Sequence, residues 1–338
     1  MPVTAPIRLG TRGSQLALYQ ATTVAGLIVR AGGPECEIVI IKTSGDRLQD
    51  APLSEVGGKR LFVKEIEDAL LGHTIDLAVH SSKDMPAVLP DGLSIAGVLP
   101  REDPHDAVVL PERAGSDAAA GITVSGIPEL LAALGDTPAI GTSSVRRVAQ
   151  LTRLIAGARF GPIRGNLDTR LRKLDAGDHD AIVLAAAGLR RLGLGSRISM
   201  LLPAAVCVPA PGQGIIAAEI RTDDDRVRAA VGPITDGSAW AALSAERALV
   251  EALGGGCQTP VGALATAKGS GLLELTAVVI ALDGGREVRS SASGLAAEAA
   301  DLGRRVAGDL LAHGAGEILE EARRHEASRS TMAPTPEY

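Results

Sequence analysis

A short aliphatic strand that ends in Gly-Thr and opens into a helix occurs twice in the sequence. Leu9-Gly10-Thr11 precedes one segment with helical spacing of its apolar residues, and Ile140-Gly141-Thr142 precedes another. Such a turn brings free backbone N–H groups and the positive end of a helix dipole to one point, where carboxylates and phosphates bind. The repetition predicts two similar α/β lobes, each of which directs a helix N-terminus toward a shared cleft.

The cores of such lobes have to be built from small aliphatic side chains. The chain has 338 residues, of which 46% are hydrophobic but only 1% aromatic. Cores of Ala, Val, Leu and Ile suit packed layers of helix and sheet better than an aromatic-rich β-sandwich. At this length we expect two or three domains of the α/β class.

The N-terminus and the cysteines predict a cytoplasmic protein. Residues 1–6 lack the basic start and the apolar run of a signal peptide, and no stretch approaches the ~20 apolar residues of a membrane span. Cys36, Cys207 and Cys257 are widely spaced and odd in number. We therefore expect neither a disulfide framework nor a cysteine-based zinc site.

Basic residues are concentrated in the middle of the chain, although the net charge is −6. Residues 141–173 contain eight Arg or Lys residues and one acid, Asp168. A solvated surface would account for such an excess, and so would an anion site. The acidic remainder of the chain argues against a general nucleic-acid surface.

Six arginines fall in loops and helix starts that follow predicted strands. Guanidinium groups bind carboxylates through two hydrogen bonds and stay charged at any working pH. One carboxylate needs one or two of them, so six indicate a ligand with several carboxylates. The chain has no GxxxxGK[ST], HExxH or GxSxG motif and no dinucleotide-binding GxGxxG turn. The six are Arg12, Arg146, Arg147, Arg164, Arg170 and Arg191.

One carboxylate of the chain itself follows a predicted strand. Residues 75–79 read as a buried strand that runs into His80-Ser81-Ser82-Lys83-Asp84-Met85-Pro86. Ligands of open α/β sheets lie at the carboxyl ends of strands. A surface ion pair would fit Lys83 and Asp84 as well, but would contribute little. The strand end, the adjacent opposite charges and the proline together favour a functional role.

A glycine-rich loop presents one of the cysteines in Leu253-Gly254-Gly255-Gly256-Cys257-Gln258-Thr259-Pro260. Three consecutive glycines remove every Cβ, so that a bulky group can lie against the backbone. A flexible surface loop with an incidental cysteine fits the same residues. Together with the upstream arginines, lysines and aspartate, the stretch indicates that the Cys257 thiol carries a polyanionic group.

Eight short motifs occur in a fixed order across nearly the whole chain. They are Thr11-Arg12-x-Ser14, Gly57-Gly58-Lys59-x-Leu61-Phe62-Val63-Lys64-Glu65, His80-Ser81-x-Lys83-Asp84-x-Pro86, Arg101-Glu102-Asp103-Pro104-x-Asp106, Gly141-Thr142-Ser143-Ser144-x-Arg146-Arg147, Arg164-Gly165-Asn166, Gly212-Gln213-Gly214 and Gly255-Gly256-Cys257-Gln258. In this order they resemble the porphobilinogen deaminase (hydroxymethylbilane synthase) family of tetrapyrrole biosynthesis. Any one of them is weak, but eight in order are highly specific.

The resemblance implies a three-domain α/β fold. Two lobes like those of periplasmic binding proteins enclose a cleft, and a smaller α+β C-terminal domain carries the cofactor cysteine. The expected boundaries are 1–104 with 215–235 for the first lobe, 105–214 for the arginine-rich second lobe and 236–327 for the third domain. Residues 328–338 are expected to be a disordered tail.

The resemblance also implies a transferase that needs no metal or nucleotide. In the family, a dipyrromethane cofactor is attached to the cysteine through a thioether, and the enzyme builds it from its own substrate. Four porphobilinogen units are added in turn with loss of ammonia, and hydrolysis releases hydroxymethylbilane. Every pyrrole bears two carboxylates, which agrees with the number of arginines.

The resemblance to the family also implies roles for individual residues: one catalytic carboxylate, one set of residues that binds the cofactor and one set that binds the substrate. Asp84, with Lys83 beside it, would stabilise the positive charge that develops as ammonia leaves, and could relay a proton to the amine. The cofactor group comprises Cys257 as the attachment point and Lys83, Asp84, Thr142, Ser143, Ser144, Arg146, Arg147 and Arg170. The substrate group comprises Arg12, Ser14, Gln20, Arg164, Arg170, Arg191 and Gln213.

Two departures from the family lie away from Asp84 and Cys257. Lys59 and Phe62 fall in the segment that is a mobile lid in the family. Arg60, in the same segment, stands where the family often has a small residue. Residues 113–121 form a small polar insertion near the first crossing between the lobes.

The leading alternative is a non-enzymatic two-lobed protein that clamps a carboxylate ligand, which would leave Cys257 free and would not need Asp84. A third possibility, a phosphoryl-transfer enzyme, would need a phosphate-binding loop, and the sequence has no such motif. We expect a monomer, because the sequence shows no heptad repeat and no surplus amphipathic surface.

Overall fold

The computed structural model describes residues 5–43, 63–112, 122–255 and 259–331. Several residues discussed above lie outside these ranges, among them Lys59, Arg60, Phe62, the 113–121 insertion, Cys257 and the expected tail beyond residue 331. The strands in the described ranges form three β-sheets, two of five strands and one of three. In chain order the elements are β1 (Ile7–Thr11), α1 (Gln15–Arg30), β2 (Cys36–Ile40), α2 (Lys64–Leu71), β3 (Leu77–Ser81), β4 (Leu93–Val98), β5 (Asp106–Val109), α3 (Ile127–Leu134), β6 (Ala139–Gly141), α4 (Val145–Leu154), β7 (Arg159–Gly161), α5 (Leu167–Asp175), β8 (Ala181–Ala185), α6 (Ala186–Arg191), β9 (Met200–Leu201), β10 (Ile216–Arg221), α7 (Asp225–Val231), α8 (Gly237–Ala252), β11 (Val261–Ala267), β12 (Leu272–Ile280), β13 (Glu287–Leu295), α9 (Ala299–Ala312) and α10 (Ala315–Thr331).

The two five-stranded sheets have the same topology. The first has the order β2-β1-β3-β10-β4 and the second β7-β6-β8-β5-β9. In each, the second strand of the order (β1 or β6) pairs in parallel with both of its neighbours. The fourth strand (β10 or β5) is antiparallel to both of its neighbours. The chain therefore crosses between the lobes twice, before β5 and before β10. This confirms the two similar lobes predicted from the repeated Gly-Thr turn.

Small aliphatic side chains fill both lobes, as the composition predicted. Ile7, Leu9 and Ile28 are fully buried between the first sheet and α1. Ile140, Leu151 and other aliphatic residues play the same part in the second lobe. Burial of such surface yields about 25 cal/mol per Å², so these cores need no aromatic side chains.

The third sheet is an antiparallel meander that packs against helices. Its order is β11-β12-β13, and α9 contacts β12, β13 and α8. Strands β12 and β13 are joined by a turn at Asp283-Gly284-Gly285, in which Gly284 has φ +74 and the Gly285 N–H donates to Asp283 Oδ1 at 2.8 Å. This smaller α+β unit follows the two lobes, and α8 leads directly to the glycine-rich loop.

The structure corrects several element predictions. Helix α10 continues to Thr331, so residues 328–331 are not part of a disordered tail. Residues 315–331 contain several Ala, Glu and Arg, which favour a helix. Strand β3 extends to Ser81 rather than ending at residue 79, because Ser81 pairs with Ile216 of β10. No element was predicted from the sequence for α3, β9, β10, α7, β11 or α10.

Within the described ranges, no helix combines the length and the apolar character that crossing a bilayer requires.

A glycine pair on α9 tests the packing of the third domain. A Cβ at Gly303 would collide with the backbone oxygen of Ala245 on α8, whereas a Cβ at Gly308 would meet no atom within 4 Å. We expect Gly303→Ala to lower the free energy of unfolding by about 1–3 kcal/mol through overpacking. Gly308→Ala, the matched control, should raise it by up to about 1 kcal/mol. Urea titrations followed by circular dichroism would measure both, and equal effects would contradict the close helix contact.

Candidate active site

A cavity of about 310 Å³ lies between the two five-stranded lobes. The first lobe contributes the β1–α1 turn and the end of β3, and the second contributes the starts of α4 and α5 together with α6. Residues 214 and 215, at the second crossing, close its base. The predicted site residues that line this cavity are Arg12, Ser14, Lys83, Asp84, Ser143, Arg147, Arg164, Arg170 and Arg191.

Two capped helix N-termini face this region, as the repeated turn predicted. The Ser14 hydroxyl accepts from the Ala17 N–H at 3.3 Å and caps α1. The Ser144 hydroxyl accepts from the Arg147 N–H at 3.5 Å and caps α4. Asn166 occupies the N-cap position of α5, but its side chain makes no capping bond. The equivalent turns of the two lobes thus direct positive helix ends toward one cleft.

Lys83 and Asp84 lie in a single 3₁₀ turn directly after β3. The Asp84 side chain is exposed to the cleft, whereas Lys83 is half-buried with its Nζ 3.5 Å from Gln213 Oε1. Burial, together with the nearby Arg147, lowers the pKa of Lys83 to about 8, although Asp84 opposes the shift. The strand end therefore presents a carboxylate and an ammonium that gives up its proton readily.

Three arginines of the second lobe are held in the cleft with few counter-ions. Burial and the neighbouring Arg147 lower the pKa of Arg170 to about 10. Burial also lowers the pKa of Arg164, whose buried Nε has no hydrogen-bond partner among the described residues. Arg191 donates to the Gly214 carbonyl oxygen at 2.6 Å, and burial lowers its pKa as well. Burial is the largest cause of each shift, and the carboxylates near Arg170 (Asp84) and Arg191 (Glu102) offset it only in part.

Positive charge therefore exceeds negative charge in the cavity wall. The acidic groups that line the cavity are Asp84 and Asp168. Asp168 is 3.7 Å from Arg172 on the same helix. A ligand with several carboxylates would supply the missing negative charge. The cationic groups are Arg12, Lys83, Arg147, Arg164, Arg170 and Arg191.

Arg146 and Arg147 share a buried counter-ion that the sequence analysis did not single out. Asp106 is fully buried at the start of β5. Its Oδ2 lies 2.7 Å from Arg146 Nη1, and its Oδ1 lies 2.7 Å from Arg147 Nη2. Burial alone would raise the pKa of Asp106, but the two guanidinium groups hold it well below its usual range.

A second, smaller cavity of about 90 Å³ adjoins the third domain. Lys83 lines both cavities, while Ser144 and Arg146 line this one. Val250 and Thr259, which flank the glycine-rich loop on either side, also form its wall. The smaller cavity thus lies next to the loop that carries Cys257, a residue outside the described ranges.

The first residues of the glycine-rich loop are held by the C-terminal helix. Arg323 Nη2 donates to the Leu253 carbonyl oxygen at 3.1 Å and to that of Gly254 at 2.9 Å. These carbonyls follow the end of α8, where backbone acceptors lack partners within the helix. The helix α10 therefore helps to define where the loop begins.

Three predicted site residues lie behind the cavity walls rather than in them. Gln20 is buried and donates to Ser81 Oγ at 2.8 Å, and Ser81 lines the large cavity. Thr142 is buried and accepts from the Ser144 N–H at 3.3 Å. Gln213 is fully buried and donates to the Pro104 carbonyl oxygen at 2.6 Å and to Asp106 Oδ1 at 2.9 Å.

The residues that sequence reasoning missed share one property, which is pairing over long sequence distances. Ser81 and Asp106 both stood in quoted motifs, yet neither was assigned a role. Arg101 and Glu246 are 145 positions apart and form an ion pair at 2.6 Å. The motif positions were the available signal, but no local pattern shows which of them meet.

The geometry defines a class of protein: a two-lobed α/β protein with a cationic cleft for a polycarboxylate and a carboxylate of its own at a strand end. Two family descriptions match the sequence. "Porphobilinogen deaminase, dipyromethane cofactor binding domain" covers residues 7–229, and "Porphobilinogen deaminase, C-terminal domain" covers residues 240–312. The chain belongs to the porphobilinogen deaminase family and is an enzyme of the transferase class.

Curated relatives agree over nearly the whole length. The porphobilinogen deaminase of Syntrophobacter fumaroxidans is 46% identical over 316 residues, which is 93% of this chain and 97% of that protein. The porphobilinogen deaminase of Geobacter metallireducens is 42% identical over 329 residues, with coverage of 97% and 98%. That of Acidithiobacillus ferrooxidans is 45% identical over 318 residues, with coverage of 94% and 98%. The enzymatic interpretation is therefore favoured over the non-enzymatic carboxylate-binding alternative.

Solved structures give only distant likenesses. Immunogenic lipoprotein A from Vibrio vulnificus is 13% identical with a TM-score of 0.40, covering 69% of this chain and 96% of that chain. The VFT2 domain of BvgS from Bordetella pertussis is 15% identical with a TM-score of 0.38, covering 68% and 85%. Similarity at this level supports no argument about the chain.

The lowered pKa of Lys83 predicts a pH dependence of ligand binding. Above about pH 8, Lys83 in the free protein loses its charge. The affinity for a porphobilinogen molecule bound at the empty cofactor position should therefore fall, by about tenfold per pH unit at most. Calorimetric titration of the Cys257→Ser protein between pH 7 and 9.5 would measure this without turnover. Lys83→Arg in the same background keeps its charge and should remove the decline. An identical decline in both proteins would contradict the assignment to Lys83.

Proposed function

We propose that the chain joins four porphobilinogen molecules in turn, with loss of ammonia, onto a dipyrromethane cofactor at Cys257, and then releases hydroxymethylbilane by hydrolysis. The observation that carries the proposal is the cavity between the lobes, where six cationic side chains meet Asp84 at a strand end. Family membership gives the reaction, and the charge of the cavity agrees with a substrate that has two carboxylates on each ring.

The residues present fit a dipyrromethane group. Its carboxylates would be held by Lys83, Ser143, Ser144, Arg146, Arg147 and Arg170, with Thr142 supporting the turn. Arg146 and Arg164 each have a buried Nε without a hydrogen-bond partner among the described residues, and such donors favour an anionic ligand. When bound, the cofactor supplies the pyrrole carbon to which substrate units are joined.

Asp84 is the catalytic carboxylate in this proposal. As the C–N bond of the substrate's aminomethyl group breaks, positive charge develops on the pyrrole ring. A fixed carboxylate next to that ring stabilises the charge, and such electrostatic stabilisation is worth most where it is already in place. Lys83, adjacent to Asp84 in the same turn, assists by holding a carboxylate close to the reacting centre.

The remaining predicted residues bind the incoming substrate. Arg12, Ser14, Arg164, Arg170 and Arg191 are assigned to its two carboxylates, and their presence in the cavity wall supports this role. Gln20 and Gln213 would not contact the substrate directly. They would support the site through their hydrogen bonds to the side chains of Ser81 and Asp106.

We also propose the organisation of the chain. The division into 1–104 with 215–235, 105–214 and 236–327 is supported by the three separate sheets and the two crossings between the lobes. We place the enzyme in the cytoplasm as a monomer, a proposal that rests on the sequence features alone.

Intact mass tests the covalent cofactor. We expect the purified protein to carry an adduct equal to two deaminated pyrrole units, and Cys257→Ser to carry none, because the thiol is the attachment point. Protein without an adduct would be incubated with porphobilinogen and weighed again, which separates unloaded protein from protein that cannot load. A mass that stays unchanged would favour the non-enzymatic alternative.

Substitution of the proposed catalytic carboxylate tests the mechanism. Asp84→Asn should fold and load its cofactor, yet lose turnover by about 100-fold or more, because the developing positive charge loses its counter-ion. Asp168→Asn removes the other cavity carboxylate and should reduce turnover much less. Steady-state rates of ammonia release from both loaded variants would decide, and near-normal turnover in Asp84→Asn would remove Asp84 from the mechanism.

A further inference from the structure

The geometry points to Asp106 as the residue that positions Arg146 and Arg147, so that one buried carboxylate aligns the two neighbouring cavities. Arg146 and Arg147 are adjacent in the first turn of α4, and successive helical residues diverge by about 100°. Arg146 lines the smaller cavity beside the third domain, and Arg147 lines the larger cavity between the lobes. Asp106 is the acceptor that the two side chains have in common.

Each carboxylate oxygen of Asp106 accepts a hydrogen bond from an arginine that lines one of the two cavities. Oδ2 accepts from Arg146 Nη1 at 2.7 Å, and Oδ1 accepts from Arg147 Nε at 2.9 Å. A backbone acceptor also holds each guanidinium. Arg146 Nη1, which donates to Asp106, also donates to Val208 O at 2.6 Å, and Arg147 donates from a different nitrogen, Nη1, to Val183 O at 2.8 Å. Neither arginine can change rotamer without breaking a buried, charge-assisted hydrogen bond.

The surroundings of Asp106 keep the carboxylate itself in place. Gln213 Nε2 donates to Oδ1 at 2.9 Å, and the Cys207 thiol donates to Oδ2 at 3.3 Å. Both partners come from the second crossing between the lobes, while Asp106 begins β5 just after the first. Asp106 thus links the cavity arginines to both crossings between the lobes.

The pairing also leaves a defined excess of positive charge. Two guanidinium groups face one carboxylate, so the cluster retains one net positive charge to offer an anionic ligand. Four charged neighbours affect the pKa of Lys83: Asp84 and Asp106 raise it, whereas Arg147 and Arg146 lower it. Removal of the Asp106 charge would therefore make Lys83 lose its proton more readily.

This inference rests on the proposed function and is tested with readouts other than turnover. Asp106→Asn removes the charge and keeps the shape, whereas Asp106→Glu keeps the charge and displaces it by one methylene group. Asp175→Asn is the matched control, because Asp175 pairs with Arg197 at 2.7 Å in the same lobe but lines neither cavity. Cofactor occupancy by intact mass, thermal unfolding and porphobilinogen binding from pH 6.5 to 9.5 would be measured for all, with binding in the Cys257→Ser background.

We expect a folded Asp106→Asn protein to show at least about tenfold lower occupancy and affinity. The pH at which its affinity falls should also decrease, because Lys83 loses a neighbouring carboxylate that raises its pKa. Asp106→Glu should lose affinity without that shift in pH. Asp175→Asn should lower the unfolding temperature but keep wild-type occupancy and affinity.

The experiment distinguishes failure of the proposed function from failure of the positioning role of Asp106. A wild-type protein that acquires no adduct would overturn the proposed function, whatever the Asp106 variants do. A loaded wild type together with a folded, fully loaded Asp106→Asn protein of unchanged pH dependence would overturn the positioning role alone. Failure of both Asp106 variants to fold would assign the residue to stability instead, and would also overturn the inference.

Discussion

One ion pair, between the partly buried Arg101 and the fully buried Glu246, holds the three domains together where they meet. Arg101 follows β4 at the first crossing, and its Nη1 lies 2.6 Å from Glu246 Oε1 on α8 of the third domain. Arg101 Nε also donates to the Gln213 carbonyl oxygen at 2.8 Å, and Glu246 Oε2 accepts from the Gly212 N–H at 2.6 Å. Loss of one partner from such a buried pair costs about 3–5 kcal/mol. Both crossings and the third domain are therefore held at one point beside the cleft.

The cleft between the two lobes contains an excess of positive charge, which lowers the stability of the folded protein. The lowered pKa values of Lys83 and Arg170 show that the folded protein keeps these cations partly desolvated and close to other cations. Asp106 compensates part of the charge but not all of it. An anionic ligand offsets the remainder, which explains why a fold would retain so unfavourable an arrangement at a binding site.

Local rules account for much of what the sequence predicted correctly. Ser14 and Ser144 cap helices because a short hydroxyl side chain after a strand satisfies free N–H groups. Lys83 and Asp84 follow β3, since residues after a buried strand emerge at the sheet edge. The helix content of residues 328–331 was missed for a related reason: the Ser- and Thr-rich composition outweighed the helix-forming residues that precede it in α10.

By itself, the sequence determined the aliphatic α/β layers, the repeated strand–turn–helix units and the cationic character of the site, because each depends on residues that are near neighbours in the chain. The tertiary structure alone decided that Arg146 and Arg147 face different cavities, that Asp106 lies between them, and that Gln213 is buried behind the wall. These arrangements depend on contacts between segments 40 to more than 100 positions apart. Such contacts form only when the two lobes pack around the crossings, and no periodicity or spacing in the sequence encodes their geometry.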